Sequence, residues 1–279
     1  MFASDQYQLL DFGGGRKLER FGQYVVDRPS PAAGEVQPAH PEHWSQAAAR
    51  FERPAAGEGR WTVRREPGDW SVRWNELEFE LRLAASGQVG LFPEQAVNWQ
   101  WLARQLRQTS NARLLNLFAY TGSSSLVAAQ AGAEVVHVDA SAAAIAMARR
   151  NAERSGLADR PLRWVEEDAL AFVRREVRRG NRYQVVILDP PSYGHGPKGQ
   201  AWKLASQLDE LVEQVSMLVD RRAGCVLLTC HTPGYGPVEL VRILETALAT
   251  PARGAALELV AADGRRLPSG SGAVWMGES

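Results

Sequence analysis

Tyr183-Gln184-Val185-Val186-Ile187-Leu188-Asp189-Pro190-Pro191-Ser192-Tyr193 is the most informative segment of this 279-residue chain. Its first six residues are a short apolar, β-branched run with no break, as in a strand covered on both faces. Two prolines then stop the strand, because each lacks an N–H and fixes φ. In an open α/β sheet the carboxyl ends of the strands are where ligands bind. Asp189 and the Pro190 carbonyl are hydrogen-bond acceptors, and Tyr193 offers a flat ring. That set suits an amine on a planar heterocycle, such as the exocyclic –NH2 of a nucleobase. A strand-ending turn with Asp189 as a turn residue is the plain alternative.

The flanking sequence alternates strand and helix patterns. Strands are expected near residues 113–118, 134–138, 162–165, 183–188, 224–229, 257–261 and 273–276. Helices are expected over 122–131, 141–155, 169–179, 202–219 and 237–250. Strands spaced by helices of this length specify a parallel sheet with helices on both faces. Three of the earlier strand ends carry polar groups. Asn116 and Gly122 bracket the turn after the first strand, where glycine allows a tight reversal and Ser123-Ser124-Ser125 can cap a helix. Asp139 ends the second strand, 17 residues after Gly122. A carboxylate there falls where a nucleoside presents its ribose hydroxyls. Asp168 follows the third strand and can accept from an adenine amino group. Helix capping is the alternative role for both. The patterns G-x-G-x-x-G and G-x-x-x-x-G-K-[ST] are absent from the first turn, which disfavours dinucleotide binding and ATP hydrolysis.

Residues 1–86 read differently. Short strands surround Gly13-Gly14-Gly15, a glycine turn in preference to a phosphate loop, since no helix pattern opens after it. Residues 28–59 read as loop, with a short helix near 44–51. The tryptophans at 44, 61, 70 and 74 suit the core of a small β-rich domain better than a base-stacking face. Residues 87–95 form a loop leading into a helix over 96–108. The expected organisation is a β-rich domain over 1–86, a connector over 87–108 and an α/β domain over 109–279.

Composition narrows the partners. Net charge is zero and 45% of residues are hydrophobic. Residues 1–108 hold 13 basic and 14 acidic side chains, and the rest hold 19 and 18, so neither half is a basic arm. Affinity for nucleic acid would have to come from local clusters. The two cysteines, Cys225 and Cys230, lie on one strand and do not form a thiolate metal site; no metal is expected. With no leader pattern and no long apolar run, the expectation is a cytoplasmic protein. Oligomeric state is not legible.

The α/β part resembles the class I S-adenosylmethionine-dependent methyltransferases. More narrowly, it is similar to the bacterial large-subunit rRNA methyltransferase family that methylates cytosine C5 or guanine N2. The resemblance runs from about Gly87 to Ser279. It rests on Asn116-Leu117-Phe118-Ala119-Tyr120-Thr121-Gly122, on Asp139 and Asp168, and on Asp189-Pro190-Pro191-Ser192-Tyr193. It implies a Rossmann-like class I sheet of seven strands with helices on both faces, preceded by the small β-rich domain. It also implies S-adenosyl-L-methionine as cofactor and RNA, ribosomal by analogy, as substrate. Asn116, Phe118, Tyr120 and Gly122 fall on the family's cofactor loop, Asp139 and Asp168 on its ribose and adenine positions. Asp189, Pro190, Pro191 and Tyr193 fall on its catalytic turn. Gly90-Leu91-Phe92-Pro93-Glu94-Gln95 is similar to its G-x-F-x-D-Q-R segment, which adds Phe92 and Gln95 to the cofactor set. Glu94 and Ala96 stand where that segment has Asp and Arg. The family's small N-terminal RNA-binding module is not recognisable in residues 1–86.

The atom methylated is a separate question. An exocyclic amine needs acceptors for its hydrogens, which Asp189 and the Pro190 carbonyl supply. Carbon-5 of a pyrimidine needs a thiolate. The resembled cytosine enzymes carry that cysteine where this chain has Thr232, two residues beyond Cys230. The amine is therefore the expected target, with carbon-5 chemistry by Cys230, a non-RNA substrate, or a non-catalytic RNA-binding role as alternatives. Arg174, Arg175, Arg178, Arg179 and Arg182 form a basic cluster at the wrong end of their helix for the site. Residues 194–200 read as a flexible substrate lid or a plain connector.

Overall fold

The computed structural model describes residues 1–53, 59–109 and 111–277. They form two units, 1–97 with 258–269 and 98–257 with 270–279.

The first unit is β-rich. Strands β1 (Tyr7–Gly13), β2 (Arg16–Phe21), β3 (Tyr24–Pro29), β4 (Ala49–Glu52) and β5 (Arg60–Val63) form one sheet in that order. All its pairs are antiparallel except β3 with β4. Strands β6 (Ser71–Trp74) and β7 (Leu77–Glu80) make a separate hairpin. The glycine turn is a hairpin turn: Gly14 and Gly15 have φ of 56° and 75°, a two-residue reversal that needs positive φ at both positions. Trp70 and Trp74 are buried, and the indoles of Trp44, Trp61 and Trp70 donate to Asp11, the Ala84 carbonyl and the Phe21 carbonyl. These rings are structural. The helix expected near 44–51 is instead a 3-10 turn, Pro41–Gln46, followed by β4. Proline at its first position favours the turn, and the alternation of buried Ala49 and Phe51 with exposed Arg50 and Glu52 makes the rest a strand.

The segment 258–269 belongs to this unit, although the sequence places it in the α/β domain. Leu9 bridges to Ala261, Leu9 and Phe12 pack with Leu259, Ala261 and Leu267, and Arg265 pairs with Asp11. Contacts across some 250 residues leave no local mark in the sequence.

The second unit holds the seven-stranded sheet, apart from the parts of its last two strands that fall within 258–269. After helix α1 (Ala96–Arg107) come β8 (Arg113–Leu117), α2 (Ser123–Gln130), β9 (Glu134–Asp139), α3 (Ala142–Arg154) and β10 (Leu162–Glu166). Then follow α4 (Ala169–Arg178), β11 (Val185–Leu188), the short strands β12 (Tyr193–His195) and β13 (Ala201–Lys203), and α5 (Leu204–Ser216). The chain ends with β14 (Cys225–Cys230), α6 (Pro237–Leu248), β15 (Ala252–Val260) and β16 (Arg266–Met276). The sheet order is β10-β9-β8-β11-β14-β16-β15, parallel from β10 to β14, with β16 antiparallel to β14. This is the class I methyltransferase order.

Alternation along the strands sorts side chains to the two faces. Leu115, Leu117, Val136, Val138, Val186, Leu188, Val226 and Leu228 pack with the buried stripes of α4, α5 and α6. Asn116 and His137, one residue out of phase, face the other side and meet Ser125 of α2. All residues of β11 and β14 are buried, as a sheet covered on both faces requires. The strand order reverses between β8 and β11, so a crevice opens at their carboxyl ends.

Candidate functional site

Sheet register brings the polar strand ends to one level. Leu188 pairs with Leu117, and Leu117 with Val138. The next residues on the three strands are Asp189, Phe118 and Asp139, and Asp139 in turn pairs with Glu166.

On the β8 side, the chain turns through Phe118 (φ 55°), Tyr120 (φ 49°) and Gly122 (φ 90°). Two non-glycine residues with positive φ cost on the order of 1–3 kcal/mol each, a strain that concentrates at ligand sites. Gly122 has a second constraint: a Cβ there would lie 3.0 Å from the Ala148 Cβ. Asp139 fastens this loop. Its Oδ2 accepts from the Tyr120 N–H at 2.7 Å and its Oδ1 from the Ser141 N–H at 2.8 Å. Burial raises the Asp139 pKa, and the N–H groups of Ser141, Tyr120 and Ala140 oppose the rise. The two carboxylate oxygens have four lone-pair sites between them, more than these N–H groups occupy, so capacity remains for a ribose hydroxyl. Asp168 caps α4 through Oδ1, which accepts from the Ala171 N–H at 2.9 Å. The cap engages one oxygen of Asp168. This donor and acceptor set fits the nucleoside half of S-adenosylmethionine.

Asn116 differs. Its amide donates to Ser125 Oγ at 2.9 Å, and Ser125 Oγ lies 3.0 Å from His137 Nδ1. This is a buried network behind the loop. Phe92 and Gln95 lie in the first unit, at the 3-10 turn Pro93–Gln95 that leads into α1.

On the β11 side, Asp189 is half-buried, with His231 Nε2 3.6 Å from its Oδ1. Pro190 is buried, whereas Pro191, Ser192 and Tyr193 are exposed. The Pro191 carbonyl accepts from Trp202 Nε1 at 2.7 Å, and Ser192 Oγ lies 2.7 Å from Thr232 Oγ1. Cys230 is 1% exposed. Burial raises its thiol pKa, and the negative charge of Asp189 adds to the rise. Its sulfur accepts from the Thr232 N–H at 3.5 Å.

The segment 194–200, expected as a lid or a connector, lies within a short hairpin and forms its tip. β12 pairs with β13, with Tyr193 opposite Lys203 and Gly194 opposite Trp202. Trp202 and Lys203 are thus strand residues, and α5 starts only at Leu204. The sequence reading started that helix at 202. Tyr193 is 54% exposed, and its hydroxyl lies 2.9 Å from His195 Nε2. The hairpin joins the two sides of the site. The Trp202 ring packs on Phe118 with centroids 4.8 Å apart. At the tip, a Cβ on Gly196 would lie 3.3 Å from the Asp168 Cβ.

The sequence pattern gives Trp202 no place at the site. An aromatic eleven residues after the prolines was absorbed into the helix pattern. The basic cluster on α4 is largely neutralised: Arg174 pairs with Glu210, Arg175 with Glu167 and Arg179 with Glu176. Among the described residues, no helix is long and apolar enough to cross a membrane.

A family model described as S-adenosylmethionine-dependent methyltransferase matches residues 44–260. The chain is 36% identical over 123 residues to Ribosomal RNA large subunit methyltransferase I of Aeromonas salmonicida, covering 44% of this chain and 30% of that protein. It is 31% identical over 124 residues to the protein of the same description in Photobacterium profundum, again 44% and 30%. The match thus spans under a third of those relatives' length. Among solved structures, the SAM dependent methyltransferase from Agrobacterium tumefaciens superposes with a TM-score of 0.91 at 35% identity, covering 98% of this chain and 91% of that one. SMU.776 complexed with SAH has a TM-score of 0.73 at 16% identity, over 97% and 74% of the two chains, a likeness of fold alone.

Proposed function

The chain belongs to the S-adenosylmethionine-dependent methyltransferase family, and from that premise we propose that it methylates an exocyclic amine of a base in ribosomal RNA. The cofactor, when bound, supplies a methyl group on a positively charged sulfur. Asp139 and Asp168 would hold the nucleoside half, with the strained turn from Phe118 to Gly122 supplying its backbone groups. Asp189 and the Pro190 carbonyl accept the two hydrogens of the substrate amine and fix its nitrogen for attack. As the nitrogen–methyl bond forms, the methyl–sulfur bond breaks with its electron pair left on sulfur as a neutral thioether, and the nitrogen gives up a proton for which Asp189 would be the acceptor. The exposed ring of Tyr193 stacks on the base turned out of its helix. The ribosomal substrate is taken from the relatives' descriptions, and a cytoplasmic site of action follows from it.

The observation that carries the amine reading is the state of Cys230. A carbon-5 mechanism needs a thiolate that reaches the base, and Cys230 is buried with its pKa raised. Thr232, at the resembled cysteine position, has no thiol. The test is transfer of labelled methyl to deproteinised ribosomal RNA from cells lacking the protein, followed by nucleoside analysis. An N-methylated base, with Cys230→Ala nearly as active as wild type, is the expected result. A carbon-methylated pyrimidine, lost in Cys230→Ala, would replace this reading with the thiolate one. Absence of transfer to any RNA would move the substrate to another class.

A further inference from the structure

The first unit carries a ligand set that methyl transfer does not use. His40 Nδ1 lies 3.5 Å from Glu42 Oε1, and His43 Nε2 lies 3.7 Å from the same oxygen. The three donor atoms all fall within 4.8 Å of one another. We propose that His40, Glu42 and His43 bind one divalent transition-metal ion, zinc by donor chemistry, with Asp263 as the outer partner of His40.

The spacing fits. Donors held about 2.0–2.1 Å from one tetrahedral ion lie roughly 3.4 Å from each other. The two imidazole rings stack, with centroids 5.0 Å apart and planes at 20°, so a shared ion, which must lie near both ring planes, requires the half-exposed His43 ring to turn out of the stack toward Glu42. As a pair of imidazolium ions the same stack would set two like charges face to face beside a single carboxylate. A shared metal uses the lone pairs of two neutral rings instead. His40 Nε2 faces Asp263 Oδ2 at 3.7 Å. Closed to hydrogen-bond distance, that carboxylate would hold the ring proton on Nε2 and leave Nδ1 for a metal, the usual arrangement behind a ligating histidine.

The backbone under the site is held before any ion arrives. Asp11, fully buried, accepts from the N–H groups of Ala39 and His40 at 3.1 and 2.9 Å and from Trp44 Nε1 at 2.8 Å. Arg265 pairs with Asp11 and, at 2.6 Å, with Asp263. One guanidinium therefore positions both the carboxylate beneath the ligand loop and the carboxylate behind His40. Two imidazoles and one carboxylate suit zinc and its transition-metal neighbours; magnesium and calcium prefer all-oxygen sets. Bound metal would link the 40–43 turn, through His40 and Asp263, to the 258–269 segment, and so stabilise the first unit.

The test uses the full chain stripped of metal with a chelator. Titration calorimetry with zinc chloride should show one ion per chain and a raised melting temperature, and magnesium chloride should show neither. Cobalt(II) should give the visible bands of a tetrahedral site. His43→Ala and Glu42→Gln should each weaken zinc binding tenfold or more and abolish the cobalt bands. Asp263→Asn should weaken it about tenfold at unchanged stoichiometry, the scale of losing a ligand's outer partner. All three positions are at the surface, and circular dichroism verifies that each variant is folded. Zinc uptake by His43→Ala equal to wild type, or no saturable uptake by wild type, overturns the proposal.

Discussion

The indole Nε1–H of Trp202 donates to the carbonyl oxygen of Pro191 at 2.7 Å. This bond ties a strand on the far side of the hairpin to the Asp-Pro-Pro turn, while the same ring packs on Phe118 of the opposite loop. It also occupies one of the two proline carbonyls. Pro191 is engaged by Trp202, and the Pro190 carbonyl is the acceptor that the proposed mechanism assigns to the substrate amine.

Trp202→Phe removes the donor and keeps most of the packing. It should lower kcat by roughly twofold to tenfold, the kinetic equivalent of a hydrogen bond worth about 0.5–1.5 kcal/mol. Cofactor affinity should change less than kcat. Steady-state kinetics with calorimetry of cofactor binding separates the two. Equal losses in both would make Trp202 a support of the Phe118 loop and not of the catalytic turn.

Asp139→Ala should weaken S-adenosylmethionine binding by roughly 1–3 kcal/mol, the range for hydrogen bonds to a charged group. The substitution also frees the Tyr120 and Ser141 N–H groups, so the melting temperature is measured alongside. Calorimetric affinity equal to wild type would remove Asp139 from the ribose site.

Most of the α/β architecture was legible because it is local. The β11 run, its prolines and the helix periodicities each mark themselves within about fifteen residues. Three features were not, for physical reasons. The assignment of 258–269 to the first unit depends on contacts of Ala261 and Arg265 with Leu9 and Asp11, which no window of sequence contains. The β12–β13 hairpin is only three residues a side, and Trp202 sits where a helix pattern also accommodates it. Asn116 was read toward the ligand edge from its place near a strand end. Its phase along β8 turns it to α2 instead, a distinction that needs the identity of the covering helix.

The same network predicts how stability responds to acid. His137 is fully buried on β9, and burial, with the charge of Arg149 second, pushes its pKa down to about 3. An unfolded histidine titrates near 6.5. Below about pH 6.5 the unfolded chain therefore binds a proton that the native state refuses, and stability falls as pH drops from 6.5 toward 3; above 6.5 this contribution is flat. The slope is about 1.4 kcal/mol per pH unit. Wild type should thus lose about 2 kcal/mol more than His137→Asn between pH 7 and pH 5, read by urea unfolding. Parallel losses in the two proteins would mean that His137 is protonated in the fold.

The last prediction concerns Asp189 and Tyr193 together. If Asp189 acts on the substrate amine, Asp189→Ala should spare cofactor affinity and cut kcat by on the order of a hundredfold or more, as when one preorganised polar partner is removed from a reacting centre. Asp189→Asn should be milder, because its amide oxygen still accepts one hydrogen bond. Tyr193→Ala should mainly raise the apparent KM for RNA, by the roughly 1–3 kcal/mol of a base stack. The hydroxyl of Tyr193 lies 2.9 Å from His195 Nε2, and the two rings meet edge to face with centroids 4.9 Å apart. Tyr193→Phe keeps the stacking ring and loses only this exposed link, so its effect should stay within about 1 kcal/mol. The order of the four effects carries the test. Tyr193→Phe as damaging as Tyr193→Ala would transfer the role from the ring to the hydroxyl and its histidine. Full turnover by Asp189→Ala on the true substrate would reduce the Asp-Pro-Pro turn to the end of a strand and leave the amine without its acceptor.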